Sequence, residues 1–189
     1  MPLEVQTTRL RDALLFTPEV YADERGFFKE SFSVKKYRAH GLQETFVQDN
    51  ISCSVRNVLR GMHGDRRMSK LVQVLVGRAF DVIVDLREKS PTYGHWASFC
   101  LSEENHRQLY VPAGFLHGFL ALSDAVVLSY KQTALYDPSQ EFNIRWNDST
   151  LAIAWPLASE PVLSDRDRNA PSFNAARPPL PLLAGSSPL

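Results

Sequence analysis

Sulfur and net charge are both scarce in this sequence. Its 189 residues include two cysteines and three methionines, and 21 lysines plus arginines balance 21 aspartates plus glutamates. Two cysteines make no dense disulfide framework of the kind that staples small secreted domains. Cys53 and Cys100 could pair, yet each sits in an apolar, strand-like stretch, the setting of a buried free thiol. The balanced charge advertises no nucleic-acid or acidic-membrane partner. No stretch approaches the roughly 20 apolar residues a membrane helix needs. The N-terminus also lacks the basic-then-apolar pattern of a signal peptide, so the reading is of a cytoplasmic protein. A solenoid-type repeat is missing too.

What is present is an ordinary globular composition, 44% hydrophobic and 22% charged, in a chain of 21.4 kDa. That suits one domain large enough to bury a core. From residue 71 the pattern has period two: "LVQVLVGRAFDVIVDLR" places Val72, Val74 and Val76 on one face and restarts after Gly77. "SPTYGHWASFCLSEEN", "RQLYVPAGFLHGFLAL" and "AVVLSYKQTALY" repeat the rhythm, with Pro91, Gly94, Pro112, Gly114 and Asp124 at the corners. Many short strands predict an all-β sandwich, jelly roll or barrel. "SVKKYRAHGL" is a helical candidate ended by Gly41, and a second short helix is expected around "SEENH". Residues 1–170 read as a single domain and 171–189, rich in proline, alanine and serine, as a mobile tail.

Two chemistries compete for the stretch "RGMHGDRRMSKLVQV", residues 60–74. His63, Asp65 and the distant His117 follow the order HxD then H, the facial triad of metal-dependent, non-haem Fe(II) oxygenases. Against this, no arginine stands about one strand beyond His117 to anchor an oxo-acid cosubstrate. The alternative groups His63 with Lys70, Tyr130 and an aspartate of "LSDRD". A neutral imidazole can take a proton from carbon beside a carbonyl, and an ammonium can hold the enolate oxygen that forms. A phenol on the opposite face can return a proton, and an aspartate behind the imidazole fixes its tautomer. Those parts make an epimerase.

A third set lies near the start: Arg25, Phe27 and Phe28 in "DERGFFKESF", Gln48 and Asn50 in "VQDN", and Arg60. Arginine forks suit phosphate oxygens, and a ring can stack on a nucleobase. Phe27 and Phe28 are adjacent, so on a strand they face opposite sides, and one of them is expected in the core. Arg56, Arg66 and Arg67 read as surface charge.

Taken in order, "DERGFFKESF", "VQDNISCS", "VLRGMH", "KLVQVLVGRAFDVIVDLREKSPTYGHW", "LSEENHRQLYVPAGFLHGFLALSD", "SYKQTALYDPSQEFNIRWNDSTLAIAWP" and "PVLSDRD" resemble the dTDP-4-dehydrorhamnose 3,5-epimerase family, over about residues 10 to 170. The resemblance implies a cupin-type jelly roll, the double-stranded β-helix, with short flanking helices. It implies a homodimer whose N-terminal strands cross to the neighbouring subunit, and no metal or organic cofactor. The implied substrate is a nucleoside-diphosphate 4-keto-6-deoxy sugar, met in deoxysugar and polysaccharide biosynthesis and inverted at C3, C5 or both. By the same resemblance His63 would be the base with Asp167 behind it, Lys70 would stabilise the enolate oxygen, and Tyr130 would be the acid. His117 would line the sugar pocket. Arg25, Gln48, Asn50 and Arg60 would hold the pyrophosphate and nearby groups, and Phe27 would approach the nucleotide from the partner chain. A non-catalytic sugar-nucleotide binding module remains a further reading of the fold.

One departure stands out. The common family text after the histidine is an aromatic residue and then glutamine, whereas Gly64 and Asp65 follow here. The pocket is expected to differ, with Asp65 facing substrate beside the base, in the manner of relatives acting on other 4-keto sugars including heptoses, which leaves a dTDP-linked hexose and a GDP- or CDP-linked sugar equally open. Asp65 could instead simply pair with Arg66, Arg67 or Lys70.

Overall fold

The structure is a computed structural model and describes residues 2–173. The chain opens with β1 (Leu3–Thr7), β2 (Leu14–Pro18), and a hairpin of β3 (Val20–Asp23) and β4 (Gly26–Lys29). A helix α1 (Val34–Ala39) leads to β5 (Gln48–Val55), β6 (Leu59–Asp65), β7 (Lys70–Val76) and β8 (Arg78–Asp85). Then come β9 (Trp96–Ser102), β10 (Gln108–Val111), β11 (Phe115–Ala121), β12 (Ala125–Gln132), β13 (Glu141–Asn143) and a short helix α2 (Asp165–Arg168).

Two sheets face each other. One runs β1-β2-β10-β7-β12-β5 and the other β13-β6-β11-β8-β9, so strands adjacent in sequence repeatedly cross between them. This is the jelly roll expected from the resemblance. Gly77 makes one such crossing: its φ is +78, and a Cβ there would lie 2.0 Å from the Ala125 carbonyl oxygen. Only glycine tolerates both the left-handed backbone and the close approach.

The alternation of each strand sorts its side chains between the lumen and an outer layer. Val72, Val74, Ile83, Phe115, Phe119, Val126 and Leu128 meet between the sheets, with Leu15, Leu101 and Leu109. On the outside of the five-stranded sheet, Met62, Val82, Val84 and Leu116 are covered by Ile144 and Leu151. On the outside of the six-stranded sheet, Phe16, Leu71 and Tyr110 are covered by Tyr37 of α1 and by Leu42. Burial of each such side chain contributes about 1.5–3 kcal/mol. α1 ends as predicted, with Gly41 at φ +96 and the Leu42 N–H donating to the Tyr37 carbonyl at 3.0 Å.

Several expectations change. Residues 103–105 of "SEENH" form a turn and not a helix, because the Asn105 side chain accepts from the Ser102 N–H and donates to the Cys100 carbonyl, competing with helical bonds. Both cysteines are free, as expected, but Cys53 is exposed and Cys100 half-buried. Cys53 lies on the outer face of β5, which ends its sheet and is uncovered among the described residues. Neither Phe27 nor Phe28 enters the core; each is 61% exposed, since β3 and β4 pair only with each other. Pro171 and Phe173 are tied to the body through Arg145 and Asp148. The remainder of the expected tail lies outside the described residues.

Candidate active site

The lumen between the sheets carries polar side chains from opposite walls. On the five-stranded wall, His63 of β6 stands directly across from His117 of β11. Alternation along β6 turns Met62 outward into the outer core, which leaves His63 and Asp65 facing inward. His63 Nε2 is 2.5 Å from Asp167 Oδ1. Local structure explains how a distant aspartate reaches it. Val162 lies beside Val58 and exchanges backbone bonds with Asn57 and Leu59, and Ser164 caps α2 by accepting the Asp167 N–H at 3.1 Å. Asp167 is buried, which works to raise its pKa. The bonds from His63, Ser164 and the Gly61 N–H outweigh that and hold it below the ordinary carboxylate value.

His117 has a carboxylate of its own. Its Nε2 lies 2.8 and 3.0 Å from the two oxygens of Asp81, which is fully buried on β8. Sequence reasoning missed Asp81, although the signal was there: an acid inside the apolar strand run "AFDVIVD" must have a partner.

On the six-stranded wall, β12 and β7 bring Tyr130 and Lys70 inward. The Lys70 ammonium lies 5.9 Å from the centre of the Tyr130 ring. Burial lowers the Lys70 pKa, opposed by the negative charges of Glu141, Asp65 and Asp81. Burial raises that of Tyr130, helped by Glu141, so the phenol stays protonated. Glu141 was also missed. It sits opposite Asp65 in register and accepts from Arg166 at 2.7 Å, and nothing in "DPSQEFN" marks it beforehand.

The remaining expected residues divide. Gln48, Asn50 and Gln132 form a hydrogen-bonded chain, Gln48 Nε2 to Asn50 Oδ1 and Asn50 Nδ2 to Gln132 Oε1, both at 2.9 Å. Arg60 donates to Ser54 Oγ and the Cys53 carbonyl, with its charge felt at Tyr130. Arg25 and Phe27 are not brought to this group. Arg25 pairs with Asp23 on the exposed hairpin, and the Phe27 ring packs on His106 at 4.9 Å.

Asp65 faces the lumen but is taken up by Arg67, whose Nη2 lies 3.0 Å from Oδ2. Arg67 is exposed, as the sequence suggested, and its pairing with Asp65 is the simple alternative that the sequence left open. His63, Asp65 and His117 pair instead with Asp167, Arg67 and Asp81. Among the described residues no group of three or more histidine, cysteine or carboxylate side chains is placed to hold a metal ion. Gly64, the other half of the departure, points outward: a Cβ there would lie 2.5 Å from the Phe142 ring. The missing aromatic residue therefore leaves no gap in the lumen.

Among the described residues no helix is long and apolar enough to cross a membrane. Residues 7–175 match the family described as dTDP-4-dehydrorhamnose 3,5-epimerase. A dTDP-4-dehydrorhamnose 3,5-epimerase of Methanothermobacter thermautotrophicus is 49% identical over 86% of this chain and 90% of its own length. The crystal structure of the Legionella pneumophila dTDP-6-deoxy-D-glucose-3,5-epimerase, in complex with dTDP-4-keto-L-rhamnose, superposes with a TM-score of 0.89 at 44% identity, over 93% of this chain and 95% of that one. That of the Bacillus anthracis dTDP-4-dehydrorhamnose 3,5-epimerase, with TDP and PPi bound, gives 0.88 at 43% identity, over 91% and 100%. A lumen with an imidazole–carboxylate pair on one wall and an ammonium and a phenol on the other, together with this likeness along nearly the whole chain, places the protein in the dTDP-4-dehydrorhamnose 3,5-epimerase family, as an epimerase of the isomerase class.

Proposed function

We propose that the substrate is a dTDP-linked 4-keto-6-deoxy hexose, and that His63 and Tyr130 move protons on opposite faces of its ring. The observation that carries this reading is His63 held by Asp167 on one wall, with Lys70 and Tyr130 on the other. A proton at C3 or C5 is acidified by the C4 ketone. His63 takes it, Asp167 stabilises the imidazolium that results, and the Lys70 ammonium holds the enolate oxygen. Tyr130, kept protonated by burial and Glu141, delivers a proton from the far side, which inverts the carbon. His117, fixed by Asp81, lines the sugar pocket, and Arg60, Gln48 and Asn50 hold the diphosphate.

The relatives named for dTDP sugars favour this nucleotide over a GDP- or CDP-linked one. The protein works in the cytoplasm as a homodimer, with N-terminal strands crossing so that Arg25 and Phe27 reach the neighbour's nucleotide. Two exposed phenylalanines on a hairpin outside both sheets, and the exposed Ile51 and Val55 on the outer face of β5, support that assembly. Proton NMR in D2O with dTDP-, GDP- and CDP-linked 4-keto-6-deoxy sugars tests the substrate. Loss of the C3 or C5 signal with the dTDP sugar is expected, and exchange only with another nucleotide overturns the assignment.

A further inference from the structure

Arg67 is held more firmly than a loop arginine requires. Its backbone N–H, Nε and Nη2 all donate to Asp65, at 2.7, 3.3 and 3.0 Å. Asp65 is only 5% exposed, so the guanidinium is anchored to the lumen wall and not to a mobile surface carboxylate. A guanidinium carries five N–H donors in a rigid fork. Asp65 engages one edge of it, and among the described residues nothing accepts from Nη1. The Arg67 side chain is nevertheless 45% exposed, and an ion pair so open to water adds little to stability.

Its loop is docked against the segments that follow β10 and β12. Ser69 binds Thr133 twice, donating its N–H to Oγ1 at 2.9 Å and accepting the Thr133 N–H at 3.1 Å, and its Oγ takes the Ala113 N–H. Next to that clamp lie Lys70 and Gln132, which are cross-strand partners, and Gln132 ends the chain that runs through Asn50 to Gln48. Asp137, on the segment after β12, adds its negative charge to that of Asp65 at Arg67. Asp65, which holds the fork, also presents its charge to Lys70, so the guanidinium is anchored at the Lys70 end of the lumen with its Nη1 edge unclaimed among the described residues.

We propose that Arg67, aimed by Asp65, is a specificity-determining residue that donates from Nη1 to an oxygen of the substrate's nucleoside-diphosphate part. This rests on the substrate class proposed above. Arginine suits the task because its fork binds Asp65 with one edge and an oxygen acceptor with the other, without rotating. The reacting carbons lie with His63, Lys70 and Tyr130, so Arg67 acts on binding and not on proton transfer.

The test is the pair of substitutions Asp65→Asn with Arg67→Gln, which leaves no buried carboxylate stranded, alongside Arg67→Lys alone. KM and kcat are read from solvent exchange into the dTDP-linked 4-keto-6-deoxy sugar, and Kd for dTDP by calorimetry. Expected is a rise of about ten-fold in both KM and the dTDP Kd, with kcat held within about two-fold, and a smaller rise for Arg67→Lys. Unchanged KM and Kd overturn the proposal, as does a loss confined to kcat. The unsubstituted enzyme separates this from the reading beneath it. If it fails to exchange protons yet binds dTDP through Arg67, the epimerase substrate is wrong and the Arg67 contact stands.

Discussion

His63 and His117 stand opposite one another on adjacent antiparallel strands, and each turns its Nε2 to a different aspartate, Asp167 and Asp81. The two pairs are not equivalent. Asp81 belongs to the same sheet as both histidines, whereas Asp167 arrives from a short helix far along the chain and approaches His63 at the edge of β6. His63 is the more exposed of the two imidazoles.

His63→Ala is expected to abolish exchange of solvent deuterium into substrate. Asp167→Asn is expected to lower the exchange rate by about 10²- to 10⁴-fold, because the imidazole loses the carboxylate that fixes its tautomer and stabilises its cation. Full exchange in His63→Ala, followed by NMR, would place the base elsewhere.

Tyr130→Phe removes the proposed acid and leaves the proposed base and enolate site. Epimer formation should slow more than exchange does, because His63 can still return the proton it took. Equal losses in both would make Tyr130 a positioning residue.

The Lys70 pKa is lowered by burial. Its ammonium is therefore lost as pH rises through a value below the ordinary lysine range of about 10.4. Activity should fall on the alkaline side at that lower pH. In Lys70→Arg, whose guanidinium stays charged, the overall rate should be lower but the alkaline fall absent. A pH–rate profile with the same alkaline limb in both enzymes would remove Lys70 from this role.

Asp85 is fully buried and accepts from Arg87, Ser90 and Thr92. Burial pushes its pKa up, but those bonds win and depress it. Its contribution to stability is therefore complete above the unfolded value of about 3.9 and is lost as pH falls through the lower folded value. Asp85→Asn should cost about 1–3 kcal/mol at neutral pH, since Arg87, Ser90 and Thr92 lose a charged acceptor while Arg87 keeps Asp12 and the Arg11 carbonyl, and should make unfolding less sensitive to acid. Urea titrations at several pH values measure both effects.

Gly64→Tyr should destabilise the fold by about 1–3 kcal/mol, because the new ring meets Phe142. Phe142→Ala added to it should restore part of that loss. A double-mutant cycle with no coupling would show that the two positions do not share space.

The strands were legible because period-two alternation is written residue by residue. "KLVQVLV" and "RAFDVIVD" became β7 and β8 with Gly77 at the crossing between sheets. Residues 103–105 were misread because Ser102 and Asn105 tie the backbone into a turn through side-chain bonds that composition does not reveal. His63, Lys70, Tyr130, Asp167 and His117 could each be named from ordered motifs.

Which of them touch was decided only by the tertiary structure, because each contact joins elements far apart in sequence. His63 meets Asp167 across 104 positions, and His117 meets Asp81 across 36. Folding likewise decided that Asp65 faces inward and Gly64 outward. The sequence determined that these residues alternate; only the outer packing of Met62 and Phe142 chose which set meets the lumen. Alternation is local chemistry, whereas the choice of face depends on which apolar side chains can be buried together.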